Sequence, residues 1–311
     1  MRILVTGGAG FIGSHTVDAL LAANSHEVAV IDDLSSGKRE RLASSVRFHH
    51  ADVRNAEEVR LIMDRERPEV LLHLAAQVDV RKSVAEPVFD AEVNISGLLN
   101  LMEAGREKGL NRVIFASTGG AIYGEQEKFP CDEQHRCCPL SPYGVSKLAT
   151  EAYLFFYKKQ YGIDYICLRY GNVYGPRQDP HGEAGVVAIF CGRMLTRKPC
   201  TIYGDGEQTR DYIYVGDVAR ANLAALNTPA SGAFNIGTGM ETTVNQLFRS
   251  LAEIAGSSEP PISAARRPGE QRRSVISPAR AASELGWRPE VPLEDGLKRT
   301  FESFKSRPEL L

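Results

Sequence analysis

Short, continuously apolar runs alternate with longer amphipathic stretches through the first 170 residues of the chain. The apolar runs predict strands at residues 2–6, 28–31, 46–50, 70–73, 112–116 and 163–169. The amphipathic stretches predict a helix that follows Gly13 and ends at about residue 23, and further helices at residues 55–66, 88–108 and 143–161. Strands that are apolar at every position are typical of a parallel sheet covered by helices on both faces. The pattern therefore predicts a doubly wound parallel α/β sheet.

This alternation ends near residue 169, where loops rich in glycine and proline begin. The later part predicts helices at residues 186–197, 217–227, 242–255, 278–285 and 293–304, with short strands such as 233–236 between them. We expect a first domain at residues 1–171, to which residues 209–238 return. Residues 172–311 then form a smaller C-terminal α/β domain that closes over the first.

Composition narrows the possible partners. The 311 residues are 43% apolar and 24% charged, with a formal net charge of −2, which argues against a nucleic-acid-binding surface. No apolar run is long enough to span a bilayer, and the first residues run directly into a strand rather than a secretory leader. The six cysteines form no CxxC pair, so we expect reduced thiols in a cytoplasmic protein, with no metal site. Small molecules are therefore the class of partner that the composition favours.

A glycine-rich turn joins the first strand to the first helix. Gly7, Gly10 and Gly13 are spaced by two residues each, with Phe11 and Ile12 between the last two. Glycines in this context allow close backbone approach, so that a pyrophosphate binds at the helix N-terminus, where amides and dipole favour an anion. The turn therefore predicts a dinucleotide site of the Rossmann type.

Acidic residues at the ends of the next two strands indicate which dinucleotide binds. Asp32 lies 19 residues after Gly13, where its carboxylate can accept both ribose hydroxyls of NAD and would repel the 2′-phosphate of NADP. Asp52 and Val53 follow the third strand and are candidates to contact the adenine. Alternatively, Asp52 is a helix N-cap. NAD is the predicted cofactor.

Tyr143 and Lys147 lie four residues apart at the start of a predicted helix. One helical turn separates them, so the phenol and the ammonium project from the same face. A nearby cation favours phenolate and can bring a phenol pKa of about 10 toward the range useful for proton transfer. Tyr143 is therefore a candidate acid/base, although this spacing alone also occurs in many surface helices.

Taken together, the motifs resemble the extended short-chain dehydrogenase/reductase superfamily. The motifs, in chain order, are Gly7-x2-Gly10-x2-Gly13, Asp52-Val53, Leu74-Ala75-Ala76, Ser117-Thr118 and Tyr143-x3-Lys147. Later segments resemble nucleotide-sugar modifying enzymes, most closely the UDP-glucose 4-epimerases. These segments are Arg169 to Pro176, Tyr203 to Gly206, Arg210 to Tyr212 and Arg267 to Glu270. The resemblance extends from residue 1 to about 305.

This resemblance implies a UDP-hexose 4-epimerase that oxidises the sugar transiently at C4 with tightly bound NAD. It implies that Tyr143 moves the proton, that Lys147 holds the nicotinamide ribose, and that Thr118 or Ser117 bridges to the sugar oxygen. Further cofactor positions are implied at Leu74, Ala75, Ala76 and Tyr170. The implied substrate positions are Thr118, Asn172, Val187, Thr201, Tyr203, Arg210, Arg267 and Ser274. For Arg210, an internal salt bridge to Asp211 is the alternative.

Two departures from related patterns refine the expected reaction. Sugar 4,6-dehydratases of this superfamily carry an Asp-Glu pair after the catalytic threonine, where this chain has Gly119 and Gly120. Elimination of water is therefore disfavoured. Strict UDP-glucose epimerases carry a bulky tyrosine at the position of Ser274, so we expect the smaller residue to admit UDP-GlcNAc and UDP-GalNAc as well.

The sequence leaves alternative functions and the oligomeric state open. UDP-glucuronate 4-epimerisation or decarboxylation needs a cation for the sugar carboxylate, for which Arg81 and Arg177 are the candidates. A non-catalytic dinucleotide-binding regulator predicts loss of the Tyr, Lys and Thr set, which is present. The resemblance also implies a homodimer in which the helices at 88–108 and 143–161 pair into a four-helix bundle.

Overall fold

The computed structural model of the protein describes residues 1–181, 185–266 and 271–307. The strands are β1 Arg2–Thr6, β2 Glu27–Asp32, β3 Arg47–His50, β4 Val70–His73, β5 Arg112–Thr118, β6 Asp164–Tyr170, β7 Asn172–Tyr174, β8 Thr201–Tyr203, β9 Thr209–Arg210, β10 Tyr212–Tyr214, β11 Gly232–Ile236, β12 Thr242–Thr243 and β13 Ile262–Ala264. The helices are α1 Phe11–Ala22, α2 Ala56–Glu66, α3 Val80–Ala85, α4 Pro87–Ala91, α5 Gly97–Gly105, α6 Pro142–Tyr161, α7 Val186–Leu195, α8 Val215–Ala224, α9 Val244–Ala255, α10 Ala279–Glu284 and α11 Leu293–Lys305.

Seven strands form one parallel sheet in the order β11-β6-β5-β4-β1-β2-β3. The order reverses at β1, which pairs with β2 on one side and β4 on the other. Helices α1 and α8 pack on one face through Val17 and Val218, and α2, α5 and α6 pack on the other through Val59, Leu98 and Leu154. Both faces are covered, as continuously apolar strands require. The predicted doubly wound α/β fold is confirmed.

The last strand of the sheet comes from late in the chain. Strand β11 pairs with β6, with Phe234 opposite Leu168. Helix α8 precedes β11 and packs against α1. Strand β11 therefore lies beside the carboxyl end of β6, although the two strands are more than 60 residues apart in the sequence.

The remaining C-terminal elements have an apolar core of their own. Helices α7, α9 and α11 meet through Phe190, Leu247 and Phe301, which are all buried. Short strand pairs, β7 with β10, β9 with β12 and β8 with β13, lie outside the main sheet. Trp287, the one tryptophan of the chain, donates from Nε1 to the backbone oxygen of Asp217 at 2.9 Å. This contact joins the C-terminal segment to α8.

The helix expected at 88–108 differs from the observed structure. It begins at Pro87, its middle turn Glu92–Ser96 is a π-helix, and it ends at Gly105; the preceding helix α3 was not predicted. Thr150 of α6 donates to the backbone oxygen of Asn94 at 3.1 Å, within this π turn. The neighbouring helix thus provides a hydrogen bond at the irregular turn, a tertiary effect that periodicity does not reveal. No helix in the described ranges is long and apolar enough to cross a membrane.

Candidate active site

The glycine turn after β1 is closely packed against backbone. Gly7 has a φ of +67°, and a β-carbon there would lie 2.7 Å from the backbone nitrogen of Ala75. A β-carbon on Gly13 would overlap the backbone oxygen of Gly7. Gly10 caps α1, whose first turn contains Phe11 and Ile12. Backbone amides and the helix N-terminus are thus accessible without side chains, which suits a pyrophosphate.

Asp32 is fixed next to this turn at the end of β2. Its Oδ2 accepts from the backbone nitrogen of Ala9 and its Oδ1 from that of Leu34, both at 2.9 Å. Burial raises the pKa of this carboxyl, and the two backbone hydrogen bonds oppose the rise. The carboxylate retains lone pairs beyond these two bonds, so it can accept hydroxyls from a ribose.

Asp52 and Val53 lie just past β3. Asp52 accepts from the Arg54 guanidinium at 2.9 Å, and this hydrogen bond holds the pKa of the carboxyl below its usual value. The alternative that Asp52 caps α2 is wrong, because Asn55 is the N-cap and accepts from the backbone nitrogen of Glu58 at 3.3 Å. Val53 is buried against α5.

The segment Leu74 to Ala76 continues from β4 toward the glycine turn. The backbone nitrogen of Ala75 donates to Thr6 Oγ1 at 3.2 Å, and Thr6 Oγ1 also bonds His73 Nδ1 at 2.7 Å. Burial lowers the pKa of His73 to about 3, so the imidazole is neutral. Sequence reasoning missed His73, although its position at the carboxyl end of β4 is a signal that could have found it.

Helix α6 presents Tyr143 and Lys147 to the carboxyl end of β5. Ser141 caps the helix by accepting from the backbone nitrogen of Gly144 at 3.2 Å. The Thr118 hydroxyl lies beside the Tyr143 phenol and favours its ionised form. The Lys147 ammonium lies 5.7 Å from the centre of the Tyr143 ring and donates to the backbone oxygen of Ala116 at 2.9 Å. The predicted spacing therefore places both groups on one face of the helix.

The pKa of Tyr143 differs from the expectation that the nearby lysine lowers it. Burial raises the pKa of Tyr143 to about 12, and the neighbouring Thr118 side chain only partly opposes this rise. Burial lowers the pKa of Lys147 to about 8. In the protein alone, desolvation therefore outweighs the expected lowering of the phenol pKa by the lysine.

The two hydroxyls that end β5 have different partners. Ser117 donates to Glu151 Oε1 at 2.6 Å, and Glu151 is also paired with the Arg169 guanidinium at 2.6 Å. Thr118 is the hydroxyl that meets Tyr143. Of the two candidates for the bridge, the geometry supports Thr118, and it places Ser117 in a buried ion-pair network.

Asn172 and Thr118 line a common space. A β-carbon on Gly120 would lie 3.7 Å from Asn172 Oδ1 and 3.9 Å from Thr118 Oγ1. Asn172 is exposed at the start of β7, and its backbone nitrogen donates to the oxygen of Asp211 at 2.7 Å. The Thr118 hydroxyl and the Asn172 amide, a candidate substrate contact, therefore both lie beside Gly120.

Two of the remaining candidate residues, Tyr170 and Val187, have side chains buried in apolar cores. The phenol of Tyr170 donates to Asn222 Oδ1 at 2.7 Å inside the main core, and Val187 is buried in the core of α7, α9 and α11. Thr201 and Tyr203 are half-buried on β8. Arg267 lies outside the described residues.

Asp211, which sequence reasoning treated only as a possible partner of Arg210, holds together the segments that contain Thr238 and Ile276. It accepts from the backbone nitrogens of Thr238, Gly239 and Ile276 at 2.8, 3.1 and 3.3 Å. Arg210 itself donates to the backbone oxygen of Thr209 at 2.7 Å. The contact to Ile276 fixes the buried segment that contains Ser274.

Comparison with known proteins agrees with this geometry. Residues 3–237 match the model of the NAD dependent epimerase/dehydratase family. The chain belongs to this family. It is 45% identical to a UDP-glucose 4-epimerase of Mycolicibacterium smegmatis, covering 99% of each chain. The predicted family and the predicted NAD cofactor are confirmed.

Solved structures extend the similarity to three dimensions. A UDP-glucose 4-epimerase of Thermotoga maritima with UDP-glucose matches with a TM-score of 0.97 and 51% identity, over 99% of this chain and 100% of that one. A UDP-glucose 4-epimerase of Thermus thermophilus in complex with NAD matches with a TM-score of 0.93 and 49% identity, over 98% and 99%.

The glycine turn yields the first testable prediction. We expect Gly13→Ala to weaken NAD binding roughly tenfold or more and to lower the melting temperature by about 5 °C or more, because the new methyl group overlaps backbone. Calorimetric titration with NAD and thermal unfolding measure these effects. In Gly10→Ala the β-carbon would lie 3.1 Å from the same oxygen, so that variant should lose less. Equal losses in both variants would contradict the explanation.

Proposed function

We propose that this protein is a UDP-hexose 4-epimerase that interconverts UDP-glucose and UDP-galactose. The observation that carries the proposal is the contact of Tyr143 with Thr118, with Lys147 on the same helix face, in a member of an NAD-dependent epimerase family. Bound NAD would supply a hydride acceptor for the sugar C4 and a positive charge.

The chain's own residues handle the proton. Tyr143 receives the proton of the sugar 4-hydroxyl and returns it, with the Thr118 hydroxyl bridging the two oxygens. With a pKa of about 8, Lys147 is charged in roughly nine-tenths of molecules at pH 7. This ammonium stabilises the phenolate that burial alone disfavours. Because both the hydride and the proton lost from the C4–OH group are returned to it, the reaction has no net redox change.

We propose that the nucleotide end of the substrate binds to the C-terminal part of the chain. Asn172, Arg210 and Arg267 are the proposed diphosphate contacts, since guanidinium forks suit that geometry. Thr201 and Tyr203 are the proposed uridine contacts. In this division, residues 1–171 with the returning 209–238 bind NAD, and the rest of 172–311 binds the UDP-sugar.

Two observations disfavour the other reactions considered. Gly119 and Gly120 offer no carboxyl to eliminate water from the sugar. Arg177, a candidate for a sugar carboxylate, forms an ion pair with Asp18 of α1 at 2.7 Å. Its partner thus lies on the helix that begins at the glycine turn. A neutral hexose is therefore the favoured substrate.

The test of the proposed function is an assay of purified protein with UDP-galactose, first without and then with added NAD, followed by proton NMR. We expect the C4 epimer to form. Tyr143→Phe should lower turnover by about 10³-fold while still binding NAD, because only the proton transfer is lost. Ser117→Ala is the control and should retain far more activity than Thr118→Val. Full turnover by Tyr143→Phe would refute the assignment.

We also propose that UDP-GlcNAc and UDP-GalNAc are accepted, because a small residue, Ser274, replaces a bulky one. Ser274→Tyr should reduce turnover of UDP-GalNAc at least about tenfold relative to UDP-galactose, since an added ring fills the space of the acetamido group. Relative kcat/KM values for the two sugars measure this effect, with Ser274→Ala as the control. An unchanged ratio in Ser274→Tyr would exclude this role.

We propose a homodimer formed through α3, α4 and α6, which pack together and leave apolar side chains in solvent. Val84 and Val88 are 63% and 70% exposed, and Val145 and Phe156 on α6 are 51% and 48% exposed. Such a contiguous surface is typical of an interface.

We further propose a cytoplasmic location, which the six unpaired cysteines support.

The dimer proposal predicts the effect of charge on this surface. Val88→Glu combined with Phe156→Glu should convert the protein to a monomer in sedimentation velocity, because unpaired carboxylates would be buried at the interface. Leu61→Glu is a matched control on α2, where the leucine is 55% exposed outside this surface. A wild-type monomer, or an equal effect of the control, would contradict the proposal.

A further inference from the structure

A fully buried carboxylate lies behind the catalytic face of α6. Asp90 of α4 is 0% exposed. Its Oδ2 accepts from Ser146 Oγ at 2.7 Å, and its Oδ1 accepts from the side-chain amides of Gln77 and Asn94, both at 3.0 Å. Ser146 stands between Tyr143 and Lys147 in the sequence, and Gln77 directly follows the segment Leu74 to Ala76. Asp90 therefore joins α6 to a predicted cofactor segment.

All three of these donors are neutral. Hydrogen bonds from neutral groups compensate only part of the free energy lost when a carboxylate leaves water, so a buried carboxylate calls for a cation nearby. Lys147, 2% exposed and adjacent to Ser146, is buried in the same region. Among the described residues no ion pair joins it to Asp90, so the two charges interact through space.

The surroundings of Lys147 contain few other charges. Its ammonium lies 4.7 Å from the centre of the Phe115 ring, and the His73 ring is stacked with that ring at 5.9 Å between centres. The titratable groups that face it are His73 of β4, Asp90 of α4, Cys167 of β6, and Tyr143 and Glu151 of α6 itself. Glu151 is already paired with Arg169, whereas the donors to Asp90 are neutral.

We propose that Asp90 is the counter-charge of Lys147, a positioning residue that keeps the buried ammonium protonated and holds its helix turn through Ser146. The pairing itself does not depend on the proposed function. Its consequence for turnover does, because a neutral amine cannot stabilise the phenolate.

The direction of the electrostatic effect is consistent with this pairing. Burial lowers the pKa of Lys147 to about 8, and Asp90 is the strongest of the charges that oppose this decrease. The same carboxylate raises the pKa of Tyr143. Loss of the Asp90 charge should therefore lower both pKa values, and near neutral pH it should leave a larger fraction of Lys147 uncharged.

The test measures the titration of Lys147 directly. Protein with 13Cε-labelled lysine is titrated by NMR, and the Lys147 signal is identified by its loss in Lys147→Met. Wild type should titrate near 8, and Asp90→Asn should titrate at least about one pH unit lower. An asparagine can keep all three hydrogen bonds: Oδ1 still accepts from Gln77 and Asn94, and Nδ2 donates to a rotated Ser146 hydroxyl. The variant thus removes charge and little else.

Ser146→Ala is the control, because it removes the hydrogen bond and leaves the charge. Its Lys147 pKa should stay near the wild-type value. An unchanged pKa in Asp90→Asn, or an equal shift in Ser146→Ala, would overturn the proposal. If Asp90→Asn folds too poorly for NMR, melting temperatures decide: adding Lys147→Met should recover part of the loss, since no unpaired buried charge remains. Additive losses would overturn the proposal.

The effect on turnover is measured separately. If the wild type converts UDP-galactose, the alkaline limb of its pH–rate profile should move to lower pH in Asp90→Asn. If the wild type converts no UDP-sugar, the proposed function fails, while the NMR titration still decides whether Asp90 is the counter-charge.

Discussion

The contact between the carboxyl end of β5 and one face of α6 is the constraint on which the rest of the site depends. Two successive hydroxyls of the strand meet the helix at points two turns apart: Ser117 donates to Glu151, and Thr118 lies beside Tyr143. Lys147 lies on the same face between these points. The strand therefore fixes the rotation and position of the helix, and the separation between phenol and threonine hydroxyl follows from that fit.

This arrangement places several ionisable groups where water is scarce. The Glu151–Arg169 pair is compensated internally, whereas Lys147 donates to the backbone oxygen of Ala116 and has Asp90 nearby. The resting site accordingly favours a protonated phenol, and additional positive charge is needed to reach the phenolate.

The parallel sheet explains why distant segments converge. The glycine turn, Asp32, the segment after His73 and Thr118 all follow the carboxyl ends of neighbouring strands. The order of the strands reverses at β1, which opens a crevice there for the dinucleotide. Strand β11 completes the sheet beyond β6, beside the loops that carry the proposed substrate contacts.

The sequence by itself determined the features that depend on neighbours within a turn or a strand. These include the alternation of strands and helices, the glycine turn after the first strand, and the common face of Tyr143 and Lys147. Contacts between distant segments decided the rest: which hydroxyl meets the phenol, that Asn55 rather than Asp52 caps α2, and that Tyr170 faces the core. The pKa of Tyr143 also required the fold, because the burial that raises it comes from elements far apart in the chain, and local spacing gives no measure of desolvation.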